Sequence, residues 1–495
     1  MRVVVIGAGL GGLSAAAHLR ASGHEVTVLE RSARPGGRAG TIVGDGFRLD
    51  TGPVVFTMPD ALADTFRAVQ RTMSDYVTLD RVDPMYRAVF ADGSVLHVRH
   101  GREAMTDEVR RFANAREAGA FNEFCEWLTE LYHIEVPRFV EMNYDSVFDL
   151  VKPWRALLDL VRHGGFGPLD RKVASFFEDE RLRRMFSFQA MYAGVTPREA
   201  LAIYSVITYL DTVDGVFAPR GGVQAVADGL AKAVTEAGVT IRYETNVVRI
   251  LRTGEGSVAG VDLGGDRLPA DAVVCNADLP VAYRTLLGGV EAPRVARHGR
   301  YSPSCLLWVA GVRGAPLEGA AHHNVHFGRR FDEPLRALTK RGVRMSDPTT
   351  LVTVASVTDP SRAPAGCSTL YALEPMPNLD GKVDWAKHGA RYTAELRARI
   401  GALGYPVDDV VVERAFDPLD WEAMGLERGT PFSLAHTFRQ SGPLRPRNVD
   451  RRVPGLAFTG SSTVPGVGVP MVLISGKLAA RRIDHYARTS SVHRW

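Results

Sequence analysis

Cysteine is scarce in this chain. Cys125, Cys275, Cys305 and Cys367 are the only four in 495 residues, and they lie far apart with no CxxC pair. That argues against a disulfide framework, and a reducing compartment is the simplest setting for it. Long apolar runs are missing as well: none approaches the roughly 20 residues of a membrane-spanning helix. Any membrane contact is therefore expected at the surface, peripherally and from the cytoplasmic face. The first apolar run starts at Val3, which leaves no room for a signal peptide ahead of it. Charge of one sign is also lacking, since 60 basic against 56 acidic residues leave +4, with the basic residues scattered. No nucleic-acid partner is expected, because that requires a concentrated basic face. What remains is 45% hydrophobic and 23% charged, with a mean hydropathy of −0.07. This is a globular composition, with core for about three domains.

Residues 3–41 carry the strongest local signal. Val3–Ile6 is a short β-branched run, the composition of a buried strand, and meets Gly7-Ala8-Gly9-Leu10-Gly11-Gly12 before an alanine-rich helical stretch, Leu13–Ala21. In such a strand–turn–helix Gly7 permits the tight turn, Gly9 lets backbone approach a pyrophosphate, and Gly12 lets helix and strand pack closely. The helix N-terminus then faces the negative charge. A second buried run, Val26–Leu29, ends on Glu30, 18 residues past Gly12, where the ribose-binding carboxylate of a dinucleotide fold belongs. Five residues further, Pro35-Gly36-Gly37-Arg38 adds a second glycine doublet and a cation beside the same phosphates. A nicotinamide site has no need of it, so the cofactor is expected to be FAD.

The expected fold class is α/β, with a Rossmann-like FAD-binding domain built from separated pieces. These are residues 1–75, 217–285 and 441–495. The middle piece holds a helix over Val223–Ala237, a strand pair around Thr240–Val248 and Val258–Leu263, and a buried parallel strand, Ala272–Val274, running into Cys275-Asn276-Ala277-Asp278. The last piece holds a strand at Leu456–Thr459 and a helix from about Pro470 to Arg488. Residues 76–120 and 286–440 alternate as in a mixed or antiparallel sheet and are assigned to a substrate domain, and 121–216 read as helical. Within the helical part Val147, Val151, Trp154, Leu158 and Val161 follow a four-three spacing and share one face, with Pro153 breaking the stretch or starting a second helix. Two readings stand: a core-facing amphipathic helix, the commoner use of such a pattern, or an interfacial helix at a membrane.

Near the C-terminus, Thr459-Gly460-Ser461-Ser462-Thr463-Val464-Pro465-Gly466-Val467-Gly468-Val469-Pro470 offers small residues that let backbone approach a planar ring, and a proline that opens the next helix. At these residues the sequence resembles the bacterial and fungal carotenoid desaturases, the phytoene desaturase family, over nearly the whole chain. Internal matches include Asp50-Thr51-Gly52-Pro53 with Thr57-Met58-Pro59, Pro219-Arg220-Gly221-Gly222, His322-His323-Asn324, Asp347-Pro348, Thr358-Asp359-Pro360, Phe432-Ser433-Leu434 with Gln440-Ser441, and Arg445-Pro446. The chain departs from the family pattern at Ser461–Val464, where relatives often have a histidine before the proline, and at Met471, where glycine is common.

The resemblance implies the architecture of flavin amine oxidases and GDI-like flavoproteins, with an inserted mixed-sheet substrate domain and a helical membrane-facing segment. It implies FAD contacts from Gly7, Gly9, Gly11, Gly12, Glu30, Arg31, Gly36, Gly37, Arg38, Gly52 and Pro53. Val247, Gly460, Ser461, Gly468, Val469 and Pro470 complete the set. The implied reaction is desaturation of a long polyene, most simply phytoene, by hydride transfer from an allylic C–H to flavin N5 and then proton loss, with oxygen or a membrane quinone as final electron acceptor. Asp149 and Lys152 sit where relatives have an acid and a base three residues apart; a solvated ion pair is the plainer reading of that spacing. Arg220 is expected to support backbone near the flavin. His322, His323 and His326 lack a carboxylate or cysteine partner, and no metal is expected. Alternatives on the same architecture are a later-acting carotenoid dehydrogenase, a C30 hydrocarbon desaturase, a retinoid saturase, an amine oxidase and a non-redox prenyl carrier. The amine oxidase reading wants an aromatic pair at the flavin, whereas residues 433–457 offer only Phe438.

Overall fold

The computed structural model describes residues 1–492. Its N-terminal unit follows from the β-branched runs. Strand β1 (Arg2–Ile6), helix α1 (Leu10–Ala21) and strand β2 (Glu25–Leu29) succeed one another with the glycine turn between the first two. Strand β1 is central in a five-stranded parallel sheet, flanked by β2 and then Thr240–Arg242 on one side, and by Ala272–Cys275 and then Leu456–Phe458 on the other. A parallel sheet is covered on both faces, which is why its strands read as unbroken apolar runs. Val3 and Val5 pack against α1 and the helices Val223–Glu236 and Val469–Val492. Val4 and Ile6 face a small antiparallel sheet of Arg249–Arg252, Val258–Asp262 and Arg267–Pro269.

The strand pairing expected within residues 240–263 is different in the structure. Thr240–Arg242 leaves its neighbour to join β2 in the parallel sheet, and Val258–Asp262 pairs with Arg249–Arg252. The parallel edge beside Thr27–Leu29 was open to a further strand, and local alternation carries no information about which partner wins.

A seven-stranded mixed sheet takes strands from two distant stretches. Its order is Val410–Phe416, Ser304–Arg313, Cys367–Met376, Thr350–Thr353, His323–His326, Tyr86–Val89 and Val95–Val98, and the His323–His326/Tyr86–Val89 pair is parallel. Helices and short turns fill residues 115–214, with the long helix Ala115–Glu135 at their centre. No described helix is long and apolar enough to cross a membrane.

The Ser146–His163 stretch is split at Pro153 into a 3₁₀ turn, Val147–Val151, and a helix, Trp154–Arg162. Its apolar face does not meet the core. Val147, Phe148, Val151, Trp154, Leu158 and Val161 are all exposed, Phe148 by 74% and Trp154 by 59%; of the apolar side chains in the stretch only Leu160 is buried. The core-facing reading of this pattern is therefore corrected: periodicity defines a face but not what covers it.

Helix α1 is buried on nearly every side, because alanine and glycine let it approach its neighbours closely. A Cβ at Gly476 of the C-terminal helix would lie 2.5 Å from the Gly11 carbonyl oxygen and 2.7 Å from the Ala15 nitrogen. Gly476→Ala is expected to push the two helices apart and cost about 1–3 kcal/mol of stability. Gly119→Ala, at an exposed position of the helix Ala115–Glu135 where a Cβ meets nothing within 4 Å, is expected to stabilise by about 0.5–1 kcal/mol. Denaturant melts of both variants check the pair of signs.

Candidate cofactor and active site

The carboxyl-terminal ends of β1 and its neighbour Ala272–Cys275 bring the glycine turns together. Gly7 donates its N–H to the Leu29 carbonyl at 2.8 Å, and Gly36 donates to Ala8 at 2.9 Å, so the second glycine doublet lies directly on the first and Gly9 bridges Gly36. A Cβ on Gly12 would collide with the Gly7 carbonyl oxygen, and one on Gly52 with that of Arg38. Around this backbone sits the Asn276 side chain: added Cβ atoms at Gly7, Gly9, Gly11, Gly12 and Gly460 would all fall within 4 Å of it.

Glu30 is buried at the end of β2 and accepts from the Ala8 N–H at 2.7 Å and the Ser32 N–H at 2.9 Å. Its carboxylate is thereby fixed next to the turn. Arg38 reaches across to the C-terminal loop, donating to Ser461 Oγ at 2.8 Å and to the Pro431 carbonyl. Val247 is buried in the cluster that holds Ile6 and Leu29. Gly52 is tied down through its carbonyl, which accepts from Tyr371 Oη at 3.0 Å, while Pro53 stays exposed. Arg31 is exposed and donates to the Met424 carbonyl at 2.6 Å.

The C-terminal loop is held by buried side chains that sequence reasoning did not single out as site residues. Arg445, buried, donates to the carbonyls of Ser461 at 2.6 Å, Thr463 at 3.1 Å and Leu434 at 3.2 Å, and burial pushes its guanidinium down to about 10. Asn448 donates to the carbonyls of Phe458 and Val464. Asp278 accepts from Ser462 Oγ and, at 2.7 Å, from the Glu427 N–H; burial pushes its carboxyl up, opposed by Arg38. His436 lies against Gly466, with Nε2 accepting from the Val467 N–H at 3.4 Å and Nδ1 3.4 Å from Tyr204 Oη. Burial keeps this imidazole neutral. So although no histidine stands at Ser461–Val464, one from another segment packs on the same loop. The signal for Asn276 and Asp278 was available: both follow a parallel strand next to β1, where ligands of open α/β sheets bind.

The residues present fit FAD. Side-chain-free backbone at Gly7–Gly12 and Gly36–Gly37 suits a pyrophosphate, the fixed Glu30 carboxylate suits a ribose, and the helix starting at Val469 points its N-terminus out of the Gly460–Gly468 loop. Asp149 and Lys152 find a local use instead. Asp149 Oδ2 accepts from the Asp145 and Ser146 N–H groups, closing a capping box, and Oδ1 pairs with Lys152 at 2.6 Å. These partners hold the carboxyl well below its usual range, which makes it a poor proton acceptor. Arg220 is exposed and pairs with Asp80 at 2.8 Å. His322, His323 and His326 bond separately, to Thr358, Thr353 and Tyr405. Phe438 is 63% exposed, and no ring contact joins it to a second aromatic side chain among the described residues.

Arg38→Ala is expected to weaken FAD binding at least tenfold, because it unties the two halves of the cradle, whereas Arg31→Ala is expected to change it less than threefold. Fluorescence titration of the apoprotein measures both.

The flavin containing amine oxidoreductase family matches residues 10–484. A phytoene dehydrogenase from Streptomyces griseus is 47% identical over 97% of this chain and 94% of its own length. A zeta-carotene-forming phytoene desaturase from Myxococcus xanthus is 38% identical over 99% of this chain and 95% of its own. Among solved structures, an oxidoreductase from Methanosarcina mazei superposes with a TM-score of 0.62 at 18% identity, covering 96% of this chain and 99% of that one. With two glycine turns, a strand-end carboxylate and a C-terminal loop meeting at one place, and with relatives that match it end to end, the chain belongs to the flavin-containing amine oxidoreductase family, in its carotenoid desaturase branch.

Proposed function

We propose that this protein is an FAD-dependent desaturase of a carotenoid precursor, most simply phytoene. The observation that carries the reading is the end-to-end match to phytoene dehydrogenases, 47% identical over 97% of the chain in the S. griseus protein, joined to a cradle whose every element suits FAD. FAD, when bound, supplies the acceptor for the hydride of an allylic C–H. The chain's own part is to hold and align. Gly7–Gly12 and Gly36–Gly37 cradle the phosphates, Glu30 takes the ribose, and the N-terminus of the helix Val469–Val492 favours negative charge beside Gly468, Val469 and Pro470. A hydrocarbon has no polar handle, so it is held by apolar burial worth about 0.8 kcal/mol per CH₂.

Such a substrate resides in a membrane, and the exposed apolar face at Val147–Val161 supports peripheral docking there. A cavity of about 460 Å³ beside Trp154 is ringed by Arg138, Lys152 and Arg155, cations suited to an interfacial position. The turn Gly442–Leu444, whose Leu444 is also exposed, packs on Val147–Val151, so the apolar surface continues toward the segment that carries His436. In this reading residues 1–75, 217–285 and 441–495 hold the cofactor, 76–120 and 286–440 form the substrate domain, and 121–216 receive the polyene from the lipid.

Anaerobic mixing of the FAD-loaded protein with phytoene in liposomes tests the proposal. Bleaching of the flavin with new conjugated polyenes is expected, and the chromophore length counts the steps. Phe148→Ser with Trp154→Ser is expected to slow the same reaction at least tenfold while FAD binding stays unchanged. Oxidised flavin and untouched phytoene would overturn phytoene as substrate and favour a later-acting carotenoid, a C30 hydrocarbon or saturation of a retinoid.

A further inference from the structure

The helical region next to the mixed sheet contains polar groups that the fold leaves unpaired. Among the described residues, Gln189 Nε2, Ser205 Oγ and Thr212 Oγ1 are buried without a hydrogen-bond partner, and so is Nε2 of His323 on the facing strand. A hydrocarbon cannot pair them, and an apolar core gains nothing from them. Thr212 adjoins a buried carboxyl on the same turn. Asp211, 2% exposed in the π-helical turn Leu210–Asp214, accepts from Tyr86 Oη at 2.9 Å. The Tyr86 ring lies 5.6 Å from that of His323 and 6.0 Å from Phe188, which lies 5.7 Å from Tyr192. Such turns often occur at functional sites.

The groups facing Asp211 are all neutral. Burial holds the phenols of Tyr86 and Tyr192 above their usual range and the His323 imidazole well below its own, so none carries charge. Asp214, on the same turn, interacts with Asp60 and Arg81 instead. No cation among the described residues stands beside it, and the Asp211 carboxyl is pushed up to about 7 by burial, against the Tyr86 hydrogen bond, which lowers it. Tyr192 in turn lies within electrostatic reach of Tyr371, whose hydroxyl is anchored on the Gly52 carbonyl of the cofactor cradle. Glu135 is a second buried carboxyl of this region raised in the same way, to about 8, but its Oε2 finds no hydrogen-bond partner among the described residues.

We propose that Asp211, oriented by Tyr86, is the base that receives the proton released in desaturation, an assignment that rests on the functional reading above. FAD, when bound, would accept the hydride with its two electrons. The neighbouring C–H bond then breaks, its electron pair becomes the new double bond, and the proton passes to the Asp211 carboxylate. A residue kept ionisable in a place where a neutral amide would be cheaper is the pattern of a functional acid or base.

The test uses the FAD-loaded protein with phytoene in liposomes, read as the anaerobic bleaching rate against pH. Wild type is expected to speed up with pH through about 7, as the carboxylate forms. Asp211→Asn is expected to be at least 100-fold slower with that limb gone. Tyr86→Phe removes a bond that favours the charged form, so its limb is expected to move to higher pH, a shift that a structural role would not produce. A second readout needs no turnover. The folded-state value lies above the ordinary 3.8, so wild-type stability falls as pH rises from about 4 to about 7. Asp211→Asn escapes that loss and is expected to melt higher than wild type at pH 8. A carboxylic-acid infrared band titrating near 7 is expected in wild type and absent from Asp211→Asn. Wild type that leaves phytoene untouched would overturn the functional reading and this role with it. Wild-type conversion alongside an Asp211→Asn variant of equal rate and pH profile, or a limb abolished by Glu135→Gln instead, would overturn Asp211 alone.

Discussion

The structure depends on how closely backbone can approach backbone around α1. Gly7 and Gly12 allow the turn and the helix to meet, Gly36 lays a second turn on the first, and Gly476 lets the C-terminal helix lie against Gly11 and Ala15. Each contact is available only without a Cβ. Together they bring residues 7–12, 36–38 and 459–470 to one place although more than 400 positions separate the first from the last. Arg38, bonded to Ser461, and Arg445, bonded to the Ser461 and Thr463 carbonyls, then fasten the loop that the close packing has delivered.

That division explains what was legible in the sequence. The Gly7–Gly12 turn, Glu30 and the Gly36–Arg38 cluster could be read because the chemistry of each is local: a turn, a strand end and a helix start within 40 residues. Strand β1 was legible because a strand buried on both faces must be apolar throughout. Asn276, Asp278 and Arg445 were not assigned to the site, because their roles depend on contacts across the chain. Nothing around Arg445 announces that its guanidinium will collect carbonyls from 434 to 463. Thr240–Arg242 was misjudged for the same reason, since its partner, β2, lies more than 200 residues away.

The Val147–Val161 face shows a different limit. Its spacing was plain, but an apolar face at helical period serves a core or a lipid surface equally well, and only the three-dimensional arrangement tells which atoms are left uncovered. Asp149 and Lys152, adjacent to that face, turned out to serve the local chain as cap and ion pair. Other polar groups lie in the interior near the mixed sheet, where Tyr86, Asp211 and Tyr192 stand among apolar neighbours. The molecule thus leaves an apolar face uncovered at Val147–Val161 and keeps ionisable groups such as Asp211 inside.

That two remote parts of the chain form one cradle for FAD is tested most directly by competitive titration of the apoprotein. FAD is expected to bind with a perturbed flavin spectrum, while NAD, which lacks the flavin ring, and FMN, which lacks the adenosine, bind at least 100-fold more weakly. Equal binding of NAD or FMN would contradict the two-part cradle.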